Sequence, residues 1–271
     1  MRPSRMPIPM PRVRRWATTV MLALLLSSPA IAGRVLRVTV QEDSAPKFVI
    51  AGHADRGAVE GVCPDILRAI EQLDPGIRFV FEPHAQPLRR IVMRMEQADV
   101  DANCLINNDE RGARLQVVGL PLFSFDYFLI ARANDGVHIG NWDDVRRLGP
   151  EGRILTISGT GAMERLRKLG GLTVEESGKS ATANLRKLVR GRGRFFYYRV
   201  HDWTKQVHQA SVAGQVQILP TRMETVRFHL MLGRHVEPAT VVRLERAVQQ
   251  LAANGTLANV RAKWQLGPGL N

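Results

Sequence analysis

The chain has 271 residues, of which 45% are hydrophobic and 23% charged, proportions that exclude a disordered chain and a multi-span membrane protein. This length is enough for two modest domains, each with its own core. The net charge is +13, but no aromatic residues are interleaved with the basic ones, which argues against nucleic acid as a partner.

The N-terminal segment has the three parts of a secretory signal peptide. An apolar run at residues 17–26 is followed by the small-residue box Ala30-Ile31-Ala32, and it is preceded by five basic residues, Arg2, Arg5, Arg12, Arg14 and Arg15. We therefore expect a signal peptide at 1–32, cleavage near Ala32 and a periplasmic location, with an uncleaved membrane anchor as the alternative. Cleavage takes Lys plus Arg from 38 to 33 against 25 acidic residues, which leaves a net charge of +8.

After this segment the sequence alternates between strand and helix patterns. The predicted elements are strands at 34–41, 77–82 and 100–106, helices at 63–73 and 87–97, and a loop from 42 to 61. Such alternation implies parallel strands with crossover helices, and ligands then bind beyond the carboxyl ends of the strands. The loops 41–48 and 107–111 are expected at those ends, and His84 and Gln86 in a loop at the edge of the cleft.

The second half of the chain repeats this alternation. Strands are predicted at 127–131, 153–158, 195–200, 216–219 and 226–232, and helices at 142–148, 183–190, 238–254 and 256–264. A further helix follows Gly159-Thr160-Gly161 and ends at Leu169, and Gly255 is placed to cap the helix that precedes it. The whole pattern predicts an α/β fold.

The two cysteines, Cys63 and Cys104, leave two alternatives open. An oxidising compartment permits a disulfide between them, whereas two buried free thiols are the other interpretation. Their spacing, with no clustered His or Cys partners, argues against a metal site. We expect neither a metal nor a cofactor.

Several short strings follow one another in a particular order along the chain. They are Pro46-Lys47-Phe48, Gly61-Val62-Cys63-Pro64-Asp65, Ala98-Asp99-Val100-Asp101-Ala102, Asp109-Glu110-Arg111, Gly119-Leu120-Pro121-Leu122-Phe123, Gly159-Thr160-Gly161, Asn254-Gly255-Thr256 and Lys263-Trp264. Taken together, they make the chain resemble the periplasmic solute-binding proteins of the polar amino-acid ABC transporter type (bacterial extracellular solute-binding protein family 3). The resemblance covers nearly all of the sequence after residue 32.

The resemblance implies a two-lobed periplasmic-binding-protein-like fold of type II, in which each lobe is a mostly parallel sheet flanked by helices. It places lobe 1 at 33–124 plus 226–271 and lobe 2 at 125–225, with the ligand cleft between them. The implied function is to capture a small polar, carboxylate-bearing solute by lobe closure and to deliver it to an inner-membrane ABC permease. We expect the protein to be a monomer.

Two features carry the expected ligand site. Arg111 follows a strand and presents a planar, always-charged fork; the resemblance assigns it to the ligand's α-carboxylate, and the alternative is a surface pair with Glu110 or Asp109. Thr160 and Gly161 open a helix, where free N–H groups favour an anion, although Thr160 also suits a simple capping role. The other ligand-binding residues expected are Asn108, Phe48, Tyr198 and Arg199.

The sequence departs from the family where the acid that binds a ligand's amine is expected. Arg194 and Arg199 stand there, and Ile106 and Asn108 replace the threonines usual before the arginine. A cation at that place repels an ammonium group and attracts an anion. The expected ligand is therefore a dicarboxylate, another organic acid or an anionic metabolite rather than an ordinary α-amino acid.

Two alternative functions use the same scaffold. One is a secreted enzyme similar to cyclohexadienyl or arogenate dehydratase, which needs a positioned acid or base; Glu42, Asp43 and His84 are its candidates. The other is an accessory protein that senses a ligand and signals to a separate membrane partner.

Overall fold

The structure is a computed structural model that describes residues 33–42, 44–51, 58–201 and 203–266. The predicted signal peptide at 1–32 and the candidate acid Asp43 lie outside the described residues. None of the helices in the described part of the chain combines the length and the apolar character needed to cross a membrane.

Eight strands form one sheet in the order β4-β1-β5-β10-β6-β9-β7-β8, and β2 pairs with β3 in a separate hairpin. The strands are β1 (Arg34–Gln41), β2 (Val49–Ala51), β3 (Ala58–Glu60), β4 (Ile77–Gln86), β5 (Ala102–Ile106), β6 (Gln116–Arg132), β7 (Ile154–Ile157), β8 (Val174–Gly178), β9 (Phe195–Arg199) and β10 (Val216–Leu232). The pairs towards both ends of the sheet are parallel. The three central pairs, β5 with β10, β10 with β6 and β6 with β9, are antiparallel.

The helices connect these strands and begin at residues suited to that place. They are α1 (Val62–Leu73), α2 (Leu88–Glu96), α3 (Asp109–Arg114), α4 (Trp142–Arg147), α5 (Gly161–Leu169), α6 (Ala181–Val189), α7 (Trp203–Ala210), α8 (Pro238–Ala253) and α9 (Thr256–Lys263). The side chains of Asn141, Thr160 and Ser180 accept backbone N–H groups at the starts of α4, α5 and α6, as capping residues do. Gly255, with φ of +80°, separates α8 from α9.

Two short strands of the sheet are buried along their whole length. All residues of β7 and of β9 are buried, as expected for strands covered on both faces. Along β9 the side chains alternate, so that Phe195 and Tyr197 join one apolar cluster and Phe196 and Tyr198 join another. The sheet is therefore covered by apolar clusters on both of its faces at this strand.

Two long strands run through the middle of the sheet where shorter ones were predicted. The predicted strands 216–219 and 226–232 are parts of the single strand β10, and 127–131 is part of β6. The polar stretch around Pro220 suggested a break, and the pairing with β6 is irregular there, between Ile218 and Glu224. The strand continues because the neighbouring β6 supplies its hydrogen-bond partners on both sides of the irregularity.

Other differences concern segments with weak local patterns. The predicted loop 42–61 contains the hairpin β2–β3, and the predicted loop 107–111 contains the start of α3. Strand β4 extends to Gln86, so His84 lies in a strand and not in a loop. The strand β8 and the helix α7 were not predicted.

The two cysteines are joined in a disulfide that connects α1 to β5. Cys63 and Cys104 are both fully buried, and their Cα atoms are 6.1 Å apart. Of the two alternatives that the sequence left open, the structure therefore has the bridged form. The bond closes a segment of 41 residues that includes α1, β4 and α2.

A buried carboxylate ties the start of β5 to β1 and to the segment after β10. Asp101 accepts hydrogen bonds from the backbone N–H of Arg37 at 2.7 Å and from its guanidinium at 2.9 Å, and it contacts His235 Nε2 at 2.7 Å. Burial by itself raises the pKa of Asp101, but the hydrogen bonds from Arg37 and His235 outweigh burial and lower the pKa from 3.8 to about 2. Ionised Asp101 therefore stabilises the fold.

We expect Asp101→Asn to lower the free energy of unfolding by about 2 kcal/mol at neutral pH, as a pKa difference of roughly two units implies. The contribution is complete above the unfolded pKa of 3.8 and is lost as the pH falls towards the folded pKa of about 2. Urea unfolding of both proteins at neutral pH and at about pH 3 checks this, because the difference should shrink in acid. An equal difference at both pH values would contradict the assignment.

Candidate functional site

A small cavity lies where the carboxyl ends of parallel strands meet. Gln41 ends β1, Ile106 ends β5 and Arg199 ends β9, and all three line this cavity together with Thr160, which follows β7. The long central strands complete the wall with Phe125, Tyr127 and Phe228. Open α/β sheets bind their ligands at this kind of edge, so the cavity is the candidate functional site.

A lysine is buried in the wall of the cavity. Lys47 is only 2% exposed, and its Nζ donates to the side-chain oxygen of Gln41 and, at 3.2 Å, to the backbone oxygen of Cys104. The same nitrogen lies 5.4 Å from the ring centre of Phe48 and 5.5 Å from that of Phe228. Its surroundings are therefore two neutral oxygens and two aromatic faces.

Apart from Tyr127, the described ionisable side chains that line the cavity are basic ones. Lys47, Arg111 and Arg199 all line it, and no Asp, Glu or His among the described residues does so. Burial lowers the pKa of Lys47 well below its usual value, and the charges of Arg199 and Arg111 lower this pKa further. Such an arrangement attracts an anion. In the described part of the chain, no group of three or more His, Cys, Asp or Glu side chains is placed to hold a metal ion.

Arg111 occupies the first turn of α3 and is nearly inaccessible, at 4% exposure. One guanidinium nitrogen donates to the backbone oxygen of Ile106 at 3.1 Å, and another forms an ion pair with Glu164 in α5. The alternative partners considered from the sequence form ion pairs elsewhere: Glu110 pairs with Arg114, and Asp109 pairs with Lys168. Arg111 therefore connects α3 to α5 and faces the cavity.

The two arginines at the expected acid positions have different surroundings. Arg199 is 8% exposed, donates to the backbone oxygen of Ala45 at 3.1 and 2.7 Å, and lies 4.9 Å from the ring centre of Tyr198. Arg194 forms a bidentate ion pair with Asp135, with both N–O distances at 3.0 Å, and it does not line the cavity. Of these two arginines, Arg199 is therefore the one that lines the site.

The start of α5 comes close to the end of β5. The hydroxyl of Thr160 donates to the backbone oxygen of Ile157 at 2.7 Å and accepts from the N–H of Met163 at 3.5 Å, so Thr160 caps the helix as well as lining the cavity. A Cβ atom on Gly161 would lie 2.8 Å from Cδ1 of Ile106. A larger residue at this position therefore requires the terminal methyl group of Ile106 to move.

Of the seven ligand-binding residues expected from the sequence, four line the cavity, namely Arg111, Thr160, Gly161 and Arg199. The other three do not line the cavity and instead stabilise the structure around it. Asn108 caps α3 by accepting a backbone N–H at 2.8 Å, and Phe48 is a buried core residue beside Lys47. Tyr198 points to the other face of β9, where its ring stacks on that of Phe196 at 4.9 Å.

Sequence reasoning did not single out several side chains that line the cavity. Gln41, Ser44 and Lys47 belong to the loop 41–48 that was expected at the carboxyl ends of the strands, but a loop position alone does not tell which side chains turn inward. Tyr127 lies on β6, and its orientation depends on the register of that strand with its neighbours. His84 and Glu42, the candidates for acid or base chemistry, do not line the cavity.

We expect Lys47→Met to raise the free energy of unfolding at neutral pH. A lysine whose folded pKa is lowered binds its proton less well in the folded state, so it destabilises the fold wherever the unfolded chain still holds that proton. Methionine has a similar length and no charge to bury. Urea unfolding at neutral pH measures the change, with the exposed Lys205→Met as the matched control. Destabilisation specific to Lys47→Met would contradict this account.

The comparisons with known proteins give similarity in structure only. No protein-family model and no curated protein matches the sequence. A histidine kinase sensor domain with similarity to periplasmic binding proteins has a TM-score of 0.69 and 17% identity, over 88% of this chain and 99% of that chain. The substrate-binding protein of an amino acid ABC transporter has a TM-score of 0.66 and 12% identity, over 85% and 99%.

A third similar structure is an ancestral amino acid-binding protein described as a precursor of cyclohexadienyl dehydratase. Its TM-score is 0.65 at 14% identity, over 85% of this chain and 95% of that chain. At such identities the likeness defines the fold and not the activity. The protein has a two-lobed, periplasmic-binding-protein-like α/β fold, and the fold class predicted from the sequence is confirmed.

Proposed function

We propose that the protein is an exported binding protein that captures a small carboxylate-bearing solute between two lobes. The observation that carries this proposal is the presence of Arg111 and of the start of α5 on the wall of one cavity. A guanidinium and the N-terminus of a helix both bind carboxylates. The lobes that they join are 33–124 plus 226–271 and 125–225.

The charges around the cavity favour an organic acid over an ordinary α-amino acid. An ammonium group needs an acidic or carbonyl partner, and the described residues that line the cavity include no Asp or Glu. The guanidinium groups of Arg111 and Arg199, which line the cavity, instead repel an ammonium group. A dicarboxylate or another anionic metabolite fits this environment better.

Closure of the lobes supplies the mechanism of capture. The cavity has a volume of about 40 Å³, room for about three water molecules, so a larger solute enters only when the walls move apart. The pairs Arg111–Glu164 and Asp109–Lys168 and the hydrogen bond from Arg199 to Ala45 each join the two proposed lobes. A bound carboxylate adds a further bridge and favours the closed form.

The proposed destination of the solute is an inner-membrane ABC permease, which a monomer in the periplasm would supply. The likeness to the substrate-binding protein of an amino acid ABC transporter supports this role. A second candidate is a sensing role toward a separate membrane partner, favoured by the likeness to the histidine kinase sensor domain. Deletion of the gene separates the two roles. Loss of solute uptake favours the transport role, whereas loss of a transcriptional response with uptake intact favours the sensing role.

We do not propose an enzymatic activity. The likeness to a dehydratase precursor is the observation that favours such an activity. Dehydration, however, needs a positioned acid or base. No Asp, Glu or His of the described residues lines the cavity. Incubation with a prephenate-like acid should leave that acid unchanged. Product formation at a catalytic rate would contradict the proposed binding role and show that the protein is a dehydratase.

A thermal-shift panel on residues 33–271 tests the proposed function. Monocarboxylates, dicarboxylates and amino acids are compared, and the neutral amide of the best carboxylate is the matched control. The binding carboxylate should raise the melting temperature, since a ligand at 100 times its Kd stabilises by about 2.7 kcal/mol. Failure of every carboxylate, or an equal effect of the amide, would contradict the proposal.

We expect Gly161→Val to weaken binding of the best carboxylate by about tenfold. A side chain at this position meets Ile106, so it holds the walls of the cavity apart and penalises the closed form by about 1.4 kcal/mol. Titration calorimetry measures the affinity. Gly136→Val is the matched control, because no atom lies within 4 Å of a Cβ there; equal affinities for the wild type and Gly161→Val would show that closure does not depend on this contact.

A further inference from the structure

In the described part of the chain, the amine of Lys47 is buried without the carboxylate partner that a buried lysine usually has. It is buried, it lines the cavity, and it contacts no carboxylate among the described residues. A buried ammonium is normally paired with an acid, because an unpaired charge costs several kcal/mol. The structure therefore favours the neutral amine.

The hydrogen bonds of Lys47 match the neutral form. A neutral amine has two N–H donors and one lone pair, and the two acceptors present are the side-chain oxygen of Gln41 and the backbone oxygen of Cys104. Both donors are then satisfied, and the lone pair remains without a hydrogen-bond partner among the described residues. A nitrogen with a free lone pair is a nucleophile.

The neighbours of Lys47 both hold it neutral and place an acid beside it. The positive charges of Arg199 and Arg111 disfavour a third cation, and they lower the pKa of Lys47 in addition to the effect of burial. A lysine desolvated next to cationic groups is the usual setting for an imine-forming amine. The same two arginines attract the carboxylate of a ligand.

We propose that Lys47 captures 2-oxo acids reversibly, by forming an imine with the ligand's carbonyl carbon. The inference rests on the proposed carboxylate site, since Arg111 and Arg199 hold the carboxylate. In a 2-oxo acid the carbonyl carbon is bonded directly to the carboxylate carbon, so a ligand in the same small cavity brings this carbon to Lys47. The ligand class becomes the 2-oxo carboxylates.

The bond changes balance without any further reactant. The lone pair of the amine attacks the carbonyl carbon, the C=O π bond opens, and one N–H proton moves to the oxygen to give a carbinolamine. The C–O bond then breaks, the second N–H proton leaves with the oxygen, and a C=N bond forms with release of one water molecule. Hydrolysis by one water molecule reverses both steps and releases the ligand unchanged.

Trapping the imine tests the inference. The protein is incubated with pyruvate or 2-oxoglutarate and sodium cyanoborohydride, which reduces an imine to a stable secondary amine, and the adduct is located by peptide mass spectrometry. We expect one adduct per chain, on Lys47, and at least about tenfold less in Lys47→Met. Lys205→Met, at an exposed position in α7, should form the adduct as the wild type does.

Lactate separates the inference from the proposed function, because it has the carboxylate of pyruvate but no carbonyl. A thermal shift with lactate or pyruvate and no adduct on Lys47 would overturn the imine and leave the carboxylate site intact. Adducts spread over surface lysines, at equal yield in Lys47→Met, would also overturn it. The absence of any shift with lactate, pyruvate and 2-oxoglutarate, and of any adduct, would count against the carboxylate site and the imine together.

Discussion

Arg111→Ala should weaken binding of the best carboxylate by about 10- to 100-fold, the range expected when a charge-assisted hydrogen bond worth about 1.5–3 kcal/mol is lost. The residue is 4% exposed, so water competes little for its guanidinium. It also joins α3 to α5 through Glu164, so the substitution removes the ion pair between these two helices as well. Titration calorimetry with the carboxylate found by thermal shift gives the two affinities.

Two further variants make this experiment specific to the guanidinium. Arg111→Lys keeps the charge without the planar fork and should lose part of the affinity. Arg114→Ala removes a more exposed arginine from the same helix, which pairs with Glu96 and Glu110, and should bind as the wild type does. Unchanged affinity in Arg111→Ala would show that the ligand is held elsewhere.

Removal of the disulfide should have the largest effect on stability. The double variant Cys63→Ala with Cys104→Ala is expected to lose about 4 kcal/mol, because the bond closes a segment of 41 residues whose freedom in the unfolded chain it restricts. Urea unfolding of the variant and the wild type under oxidising conditions measures the loss.

A reducing agent supplies the control for this prediction. It should destabilise the wild type towards the level of the double variant and leave the double variant unchanged. A wild type whose unfolding is insensitive to reduction, with intact thiols detected in the unfolded protein, would show that the bond does not form.

The regular elements with strong local patterns followed from the sequence. The predicted strand at 34–41 agrees with β1, and the helices α1 and α8 begin or end within one residue of their predicted limits. Hydrophobic periodicity and capping residues are local properties, so they can be read without knowing the fold. Elements without such patterns were missed: β8 is a polar edge strand, and α3 has no apolar repeat.

The candidate site was predicted only in part, for a physical reason that β9 illustrates. Arg199 and Tyr198 are neighbours in sequence, yet only Arg199 lines the cavity, because successive side chains of a strand point to opposite faces. The site role of Lys47, which lies in a loop, could not be predicted from the sequence either. Its chemistry depends on burial and on two arginines that lie 64 and 152 positions later in the chain.

The amino-acid sequence by itself determined most of the strands and helices in their order, the α/β class, and the cavity-lining arginine and helix start at Arg111 and Thr160. Only the tertiary structure decided that β10 is continuous, that the cysteines are joined, and that Lys47, Arg111 and Arg199 converge on one cavity. Periodicity and capping act over a few residues. Burial, strand register and the electrostatic effect of one charge on another depend on distances through space, which the folded chain alone sets.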